Sequence, residues 1–139
     1  MHFHGDHYAH DAVRNRFVAN VMVENRRLNA GFDYLTRTDQ PLPTDIEVDS
    51  DGYSFFVTPF FKEKGNGPEA LVRYDSFRGD TTLDARQNRL IVGAAYWFPH
   101  PGGNATAALM LDFEQVTFSE YATPPPKQQR IFVHGLINF

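Results

Sequence analysis

The sequence predicts an all-β protein, and within that class a transmembrane up-and-down antiparallel β-barrel. Three observations carry this. Apolar side chains recur at every second position in about seven separate runs. No stretch of about 18 apolar residues exists, which excludes a membrane helix and leaves alternating membrane strands open. The final stretch, Arg130 to Phe139, keeps its alternation up to a terminal aromatic. Ile131, Val133, Gly135, Ile137 and Phe139 form one set there, and Arg130, Phe132, His134, Leu136 and Asn138 the other. Neighbouring side chains on a strand point to opposite faces, so the sets separate an apolar face from a mixed one.

Composition narrows the function classes. The 139 residues carry a net charge of −4, which gives no electrostatic case for nucleic acid. The absence of cysteine excludes disulfides, thiolate metal sites and thiol catalysis. The opening M-H-F-H-G-D-H-Y has no basic region followed by an apolar stretch, so it is not a secretory signal. A protein of the outer membrane needs one, and the barrel reading therefore expects an N-terminal portion upstream.

Two segments follow from the pattern, a His-rich loop or truncated start at 1–15 and a block of strands at 16–139. The first strand spans 16–24, with Phe17, Ala19, Val21 and Val23 on one face. Asn25-Arg26 turns the chain into a second strand at 28–37, where Leu28, Ala30, Phe32 and Tyr34 repeat that face, making a hairpin. Residues 38–52 hold two prolines and several acids and read as a long loop. Strands at 53–61 and 69–77 flank a K-E-K-G-N-G-P turn, with Pro59 a poor ladder donor. A polar loop at 78–88 leads to a strand at 89–98. A Pro/Gly turn then leads to 105–119, whose alternation slips near Gln115 as if at a bulge. Residues 120–128 lead into the closing strand.

Connections on this reading alternate, about three to seven residues after odd-numbered strands and about nine to fifteen after even ones. Outer-membrane barrels have that asymmetry of short periplasmic turns and long external loops. Aromatics fall near both strand ends, Phe61, Tyr96, Trp97, Phe98 and Phe139 at one and Tyr53, Phe77 and Tyr121 at the other, as interface girdles require. Bacterial single-chain barrels have an even strand number, so seven strands read as part of a larger one. The open edges predict aggregation in water.

The stretches NRRLNAGFDYLTRTDQP, DGYSFFVTPFF, ALVRYDSF, QNRLIVGAAYW and IFVHGLINF resemble the C-terminal half of porins of the phosphate-selective porin O and P family. The resemblance implies an integral outer-membrane barrel of roughly sixteen or eighteen strands. It further implies a homotrimer when full length, and passage of small anions or polar solutes. It makes Phe139, Ile137, Val133 and Ile131 the signal that the barrel assembly machinery reads. No binding residue of the family carries over by position.

The face opposite the apolar set holds Arg16, Asn20, Asp33, Arg37, Arg73, Asp75, Arg89, Asp112, Glu114, Arg130 and His134, which read as pore-lining. A water-filled lumen hydrates such charges, while a basic side chain facing lipid at the midplane costs about 2–4 kcal/mol. The plainer alternative for the arginines is structural ion pairing across strands. His2, His4, His7 and His10 raise metal binding without a fixed geometry, and no metal or other cofactor is expected. Glu47, Asp49 and Asp51 open like a calcium loop, but Thr58 stands where the bidentate Glu belongs, leaving at most a weak cation site. Asp112 and Glu114 share a face without a nucleophile, so no enzyme is expected. The expectation is a passive diffusion channel contacting the lipid bilayer. The alternative is a soluble lipocalin-like barrel holding a small apolar ligand on an inward apolar face.

Overall fold

The computed structural model describes residues 2–3, 13–40, 45–62, 64–98 and 106–138. The alternating runs become one antiparallel sheet. Its strands are β1 (His2–Phe3), β2 (Val13–Glu24), β3 (Leu28–Gln40), β4 (Val48–Pro59), β5 (Gly67–Arg78), β6 (Arg86–Phe98), β7 (Thr106–Ser119) and β8 (Gln128–Asn138). They lie in sequence order, and no helix occurs among the described residues. Among the described residues each strand touches only its chain neighbours, so β8 does not meet β1 or β2 and the sheet has two open edges there.

The structure corrects the sequence reading in four places. The expected loop at 1–15 contains β1, which pairs with Phe17 and Arg16, and β2 already begins at Val13. The expected loops at 38–52 and 78–88 shrink because polar strand ends continue the ladder. Thr38 pairs with Asp49, Arg37 with Ser50 and Asp51 with Arg78. The connections from β2 onward are then 25–27, 41–47, 60–66, 79–85, 99–105 and 120–127, and the alternation of short and long is lost. No bulge interrupts β7, whose register with β6 runs unbroken from Ala107 to Ser119. Pro59 does end β4 as its missing N–H requires, yet Phe60 pairs with Glu69 in the same register.

The tightest turn is built by Asn25, whose side-chain oxygen accepts the backbone N–H groups of Arg27 (2.8 Å) and Leu28 (2.9 Å). The Phe60 N–H donates to the Arg27 carbonyl at 2.8 Å, and the Lys64 N–H donates to that of Arg26 at 3.2 Å. The Lys64 ammonium pairs with Glu24. Two successive turns are thereby joined into one platform, here termed the Asn25 end. The 79–85 connection marks the opposite, Asp80 end.

The register sorts side chains onto two faces. One row of cross-strand partners runs Val23, Ala30, Val57, Val72, Val92, Phe113, Ile131, apolar on every strand from β2 to β8. Val23 is the last apolar residue of its strand toward the Asn25 end. Ile131 is the first apolar residue of β8, at the Asp80 end, and the band on β8 continues to Ile137. The row therefore crosses six residues of band height in six strand steps. One residue of rise, about 3.3 Å, against a strand spacing of about 4.8 Å inclines the strands by about 35° to the normal of the band.

This apolar face is bare. Val21, Val23, Leu109, Leu111, Ile131, Val133 and Ile137 are each more than half exposed. A band seven strands wide covers on the order of 700 Å², above the few hundred Å² that soluble monomers usually expose. Toward the Asp80 end the same face turns polar. Arg78 Nε bonds Asp51 at 2.6 Å, Asn88 bonds Ser119 at 3.3 Å, and the Tyr74 hydroxyl donates to Asn88 at 3.0 Å. Tyr53, Phe55 and Tyr74 cluster where band and polar rim meet. The crowded face is the other one, which holds Ser50, Ser54, Thr58, Phe60, Ala108, Glu114 and Val116, all buried, whereas Ser76, toward the polar rim, is buried on the apolar side.

Candidate functional site: a charged wall on one face

All eleven residues expected to line a pore fall on the crowded face. Arg16 and Asn20 stand on β2 opposite Arg37 and Asp33 of β3. Arg73 and Asp75 lie on β5, Arg89 on β6, Asp112 and Glu114 on β7, and Arg130 and His134 on β8. Even spacing along each strand fixes the shared face, and the register fixes which charges meet.

The charges form a chain across four strands. Arg73 Nε reaches Asp75 at 2.9 Å, and Asp75 also lies 3.7 Å from Arg89. Arg89 Nε donates to Glu114 at 2.7 Å, and Arg130 approaches the other Glu114 oxygen at 3.3 Å. Beside this chain, His134 Nε2 lies 3.1 Å from Asp112, and its ring stacks on Phe132. On β2 and β3, the Asn20 amide bonds the Asp33 carboxylate, and Arg37 Nε pairs with Asp39 at 3.3 Å. Arg89, Ile91, Asp112, Glu114, Phe132 and His134 border a shallow recess of about 230 Å³.

The pairs are layered. Side-chain exposure is 57% for Arg130 and 42% for Arg89, against 7% for Glu114 and 21% for Asp75. Carboxylates lie against the sheet and guanidinium groups stand above them, so the charge presented to solvent on this stretch is positive. Asp112 fits flat because its neighbour is Gly93; a Cβ there would stand 2.0 Å from Asp112 Oδ1. Both members of the suspected acid–base pair already have partners, Asp112 the His134 ring at 3.1 Å and Glu114 two arginines.

Other sequence expectations resolve differently. Trp97 and Phe77 are not on the apolar face. Trp97 donates from its indole N–H to Glu69 at 2.7 Å, and Phe77 packs over Gly52 with Arg37 above its ring. Asp49 and Asp51 do not open a cation loop; they lie in β4, where Thr38 bonds Asp49 and Asp51 takes Arg78 and Arg86. No metal-ligating group of three or more occurs among the described residues. The side chains of His2, His4, His7 and His10, like Phe139, lie outside the described residues. Ile131, Val133 and Ile137 are exposed on the apolar face. The pairing of Asp51 with Arg78 and Arg86 is not legible in the sequence, because all three fall in expected loops where no periodicity marks a register.

No family model, curated protein or solved structure matches the chain.

Proposed function

We propose that this chain forms part of the wall of a passive diffusion channel in an outer membrane, with its apolar face against hydrocarbon and its charged face bordering water. The observation that carries this reading is the oblique row from Val23 to Ile131, apolar on every strand. The inclination it implies, about 35°, falls within the tilt of strands in membrane barrels. A bilayer also accounts for a bare apolar face, and the polar rim with Tyr53 and Tyr74 at its border fits the headgroup zone. The open edges call for further strands, since backbone groups left unpaired in hydrocarbon cost several kcal/mol each. A larger ring, trimeric in the manner of the porins it resembles, is the completed form.

The layered ion pairs support passage of small anions or polar solutes over cations, because guanidinium groups face the water. The lipocalin-like alternative needs the apolar face to be the crowded one. Here the crowded side is the charged one. The chain has no cysteine, so single introduced cysteines report each face cleanly. In vesicle-embedded protein, cysteines at Met110 and His134 are expected to react with a charged, water-soluble maleimide, and those at Leu111 and Val133 to stay protected. Equal reactivity at all four positions, or the reverse order, removes the channel reading.

A further inference from the structure

The two ends of the sheet differ in charge. At the Asn25 end the described turns carry Arg26, Arg27, Lys62 and Lys64, all exposed, and Glu63 also lies in that stretch of sequence. At the Asp80 end the described connections carry Asp45, Glu47, Asp80, Asp84 and Glu120 against Lys127 alone. The basic groups are held in place. Backbone hydrogen bonds from Phe60 and Lys64 to Arg27 and Arg26 fuse the two turns, and the Lys62 stem lies along Gly67. Lys64 is paired with Glu24, whereas Arg26, Arg27 and Lys62 form no ion pair among the described residues. Next to them Phe61, 65% exposed, lies two residues beyond the end of β4.

We infer that the fused turns at the Asn25 end are a docking surface for anionic phospholipid, Phe61 entering the acyl boundary while Arg26, Arg27 and Lys62 engage headgroup phosphates. This rests on the membrane reading, and it adds which leaflet chemistry that end selects. An aromatic ring beside exposed cations on a hydrogen-bonded platform suits an interface that is apolar on one side and phosphate-rich on the other. Acids at the opposite end are repelled by the same surface. The chain so acquires an electrostatic orientation as well as a hydrophobic depth.

The test uses the full chain and vesicles of phosphatidylcholine, with and without phosphatidylglycerol, at low salt. Association is expected to strengthen with the anionic lipid. In a triple variant, Arg26→Gln, Arg27→Gln and Lys62→Gln, the gain should fall roughly a hundredfold, about fivefold for each basic group near an anionic surface. Lys64 is left intact to preserve its pair with Glu24. Insertion that is equal in both vesicle types overturns this inference and leaves the membrane reading standing. Failure to associate with either vesicle overturns both. Release by inorganic phosphate, but not by chloride of equal ionic strength, assigns the cluster to a free anion and also overturns it.

Discussion

The Asp112 carboxylate of β7 lies over the backbone of Gly93 on β6, so closely that a Cβ on Gly93 would stand 2.0 Å from Asp112 Oδ1. Glycine at this place is what lets Asp112 lie flat and meet His134. Gly93→Ala is expected to cost about 1–3 kcal/mol through overpacking. In an Asp112→Ala background the same change should cost less than about 0.5 kcal/mol, since the clash is gone. Urea titration of micelle-refolded protein measures both, and an equal cost in the two backgrounds contradicts the coupling.

Glu114 and Arg130 belong to one ion pair but differ in exposure. Removing the buried carboxylate leaves two guanidinium groups facing one another, so Glu114→Gln should cost about 1–3 kcal/mol. Arg130→Gln removes a mostly exposed partner and should cost under about 1 kcal/mol. The two variants are also expected to move ion preference oppositely, Glu114→Gln toward anions and Arg130→Gln toward cations. Reversal potentials across a planar bilayer report the sign.

Val133 and His134 are neighbours in sequence on opposite faces of β8. If Val133 meets hydrocarbon, Val133→Arg should cost about 2–4 kcal/mol in vesicles near the midplane. His134→Arg, bordering water, should cost little. Similar losses for the two in a vesicle folding assay would remove the assignment of faces.

The Asp80 carboxyl accepts bonds from the Thr82 hydroxyl (2.6 Å) and the Thr82 N–H (2.8 Å), which hold its pKa below the usual 3.8. A carboxyl with a lowered folded pKa stabilises the loop fully above its unfolded value, and that contribution is lost as pH falls through the folded one. The Thr82 amide resonance is therefore expected to titrate with a midpoint below that of an unperturbed aspartate. In Asp80→Asn that movement should vanish.

The middle of every long strand was legible because a period of two sorts Val21 from Asn20 and Val133 from His134 without knowledge of the fold. Strand ends were not. Thr38 and Asp49, or Asp51 and Arg78, hold the ladder through cross-strand pairs whose spacing depends on register, and a hydrophobic pattern carries no register. Val116 and Phe118 gave the impression of a bulge because alternation relaxes beyond the apolar band, where both faces tolerate either polarity. The places of Trp97 and Phe77 near strand ends suggest interface aromatics, although their parity puts them with the charges. The eleven wall residues could be gathered on one face by parity alone. Which carboxylate lies beneath which guanidinium needed the pairing of β5 through β8.

A row that climbs one residue at each strand, unbroken from β2 to β8, makes pitch a local property of neighbouring strands. On the proposed channel reading, circumference then depends on strand number alone. Gain or loss of a hairpin would widen or narrow such a bore in discrete increments without re-angling any strand, so aperture size would be open to duplication and deletion while the inclination of the apolar band is kept.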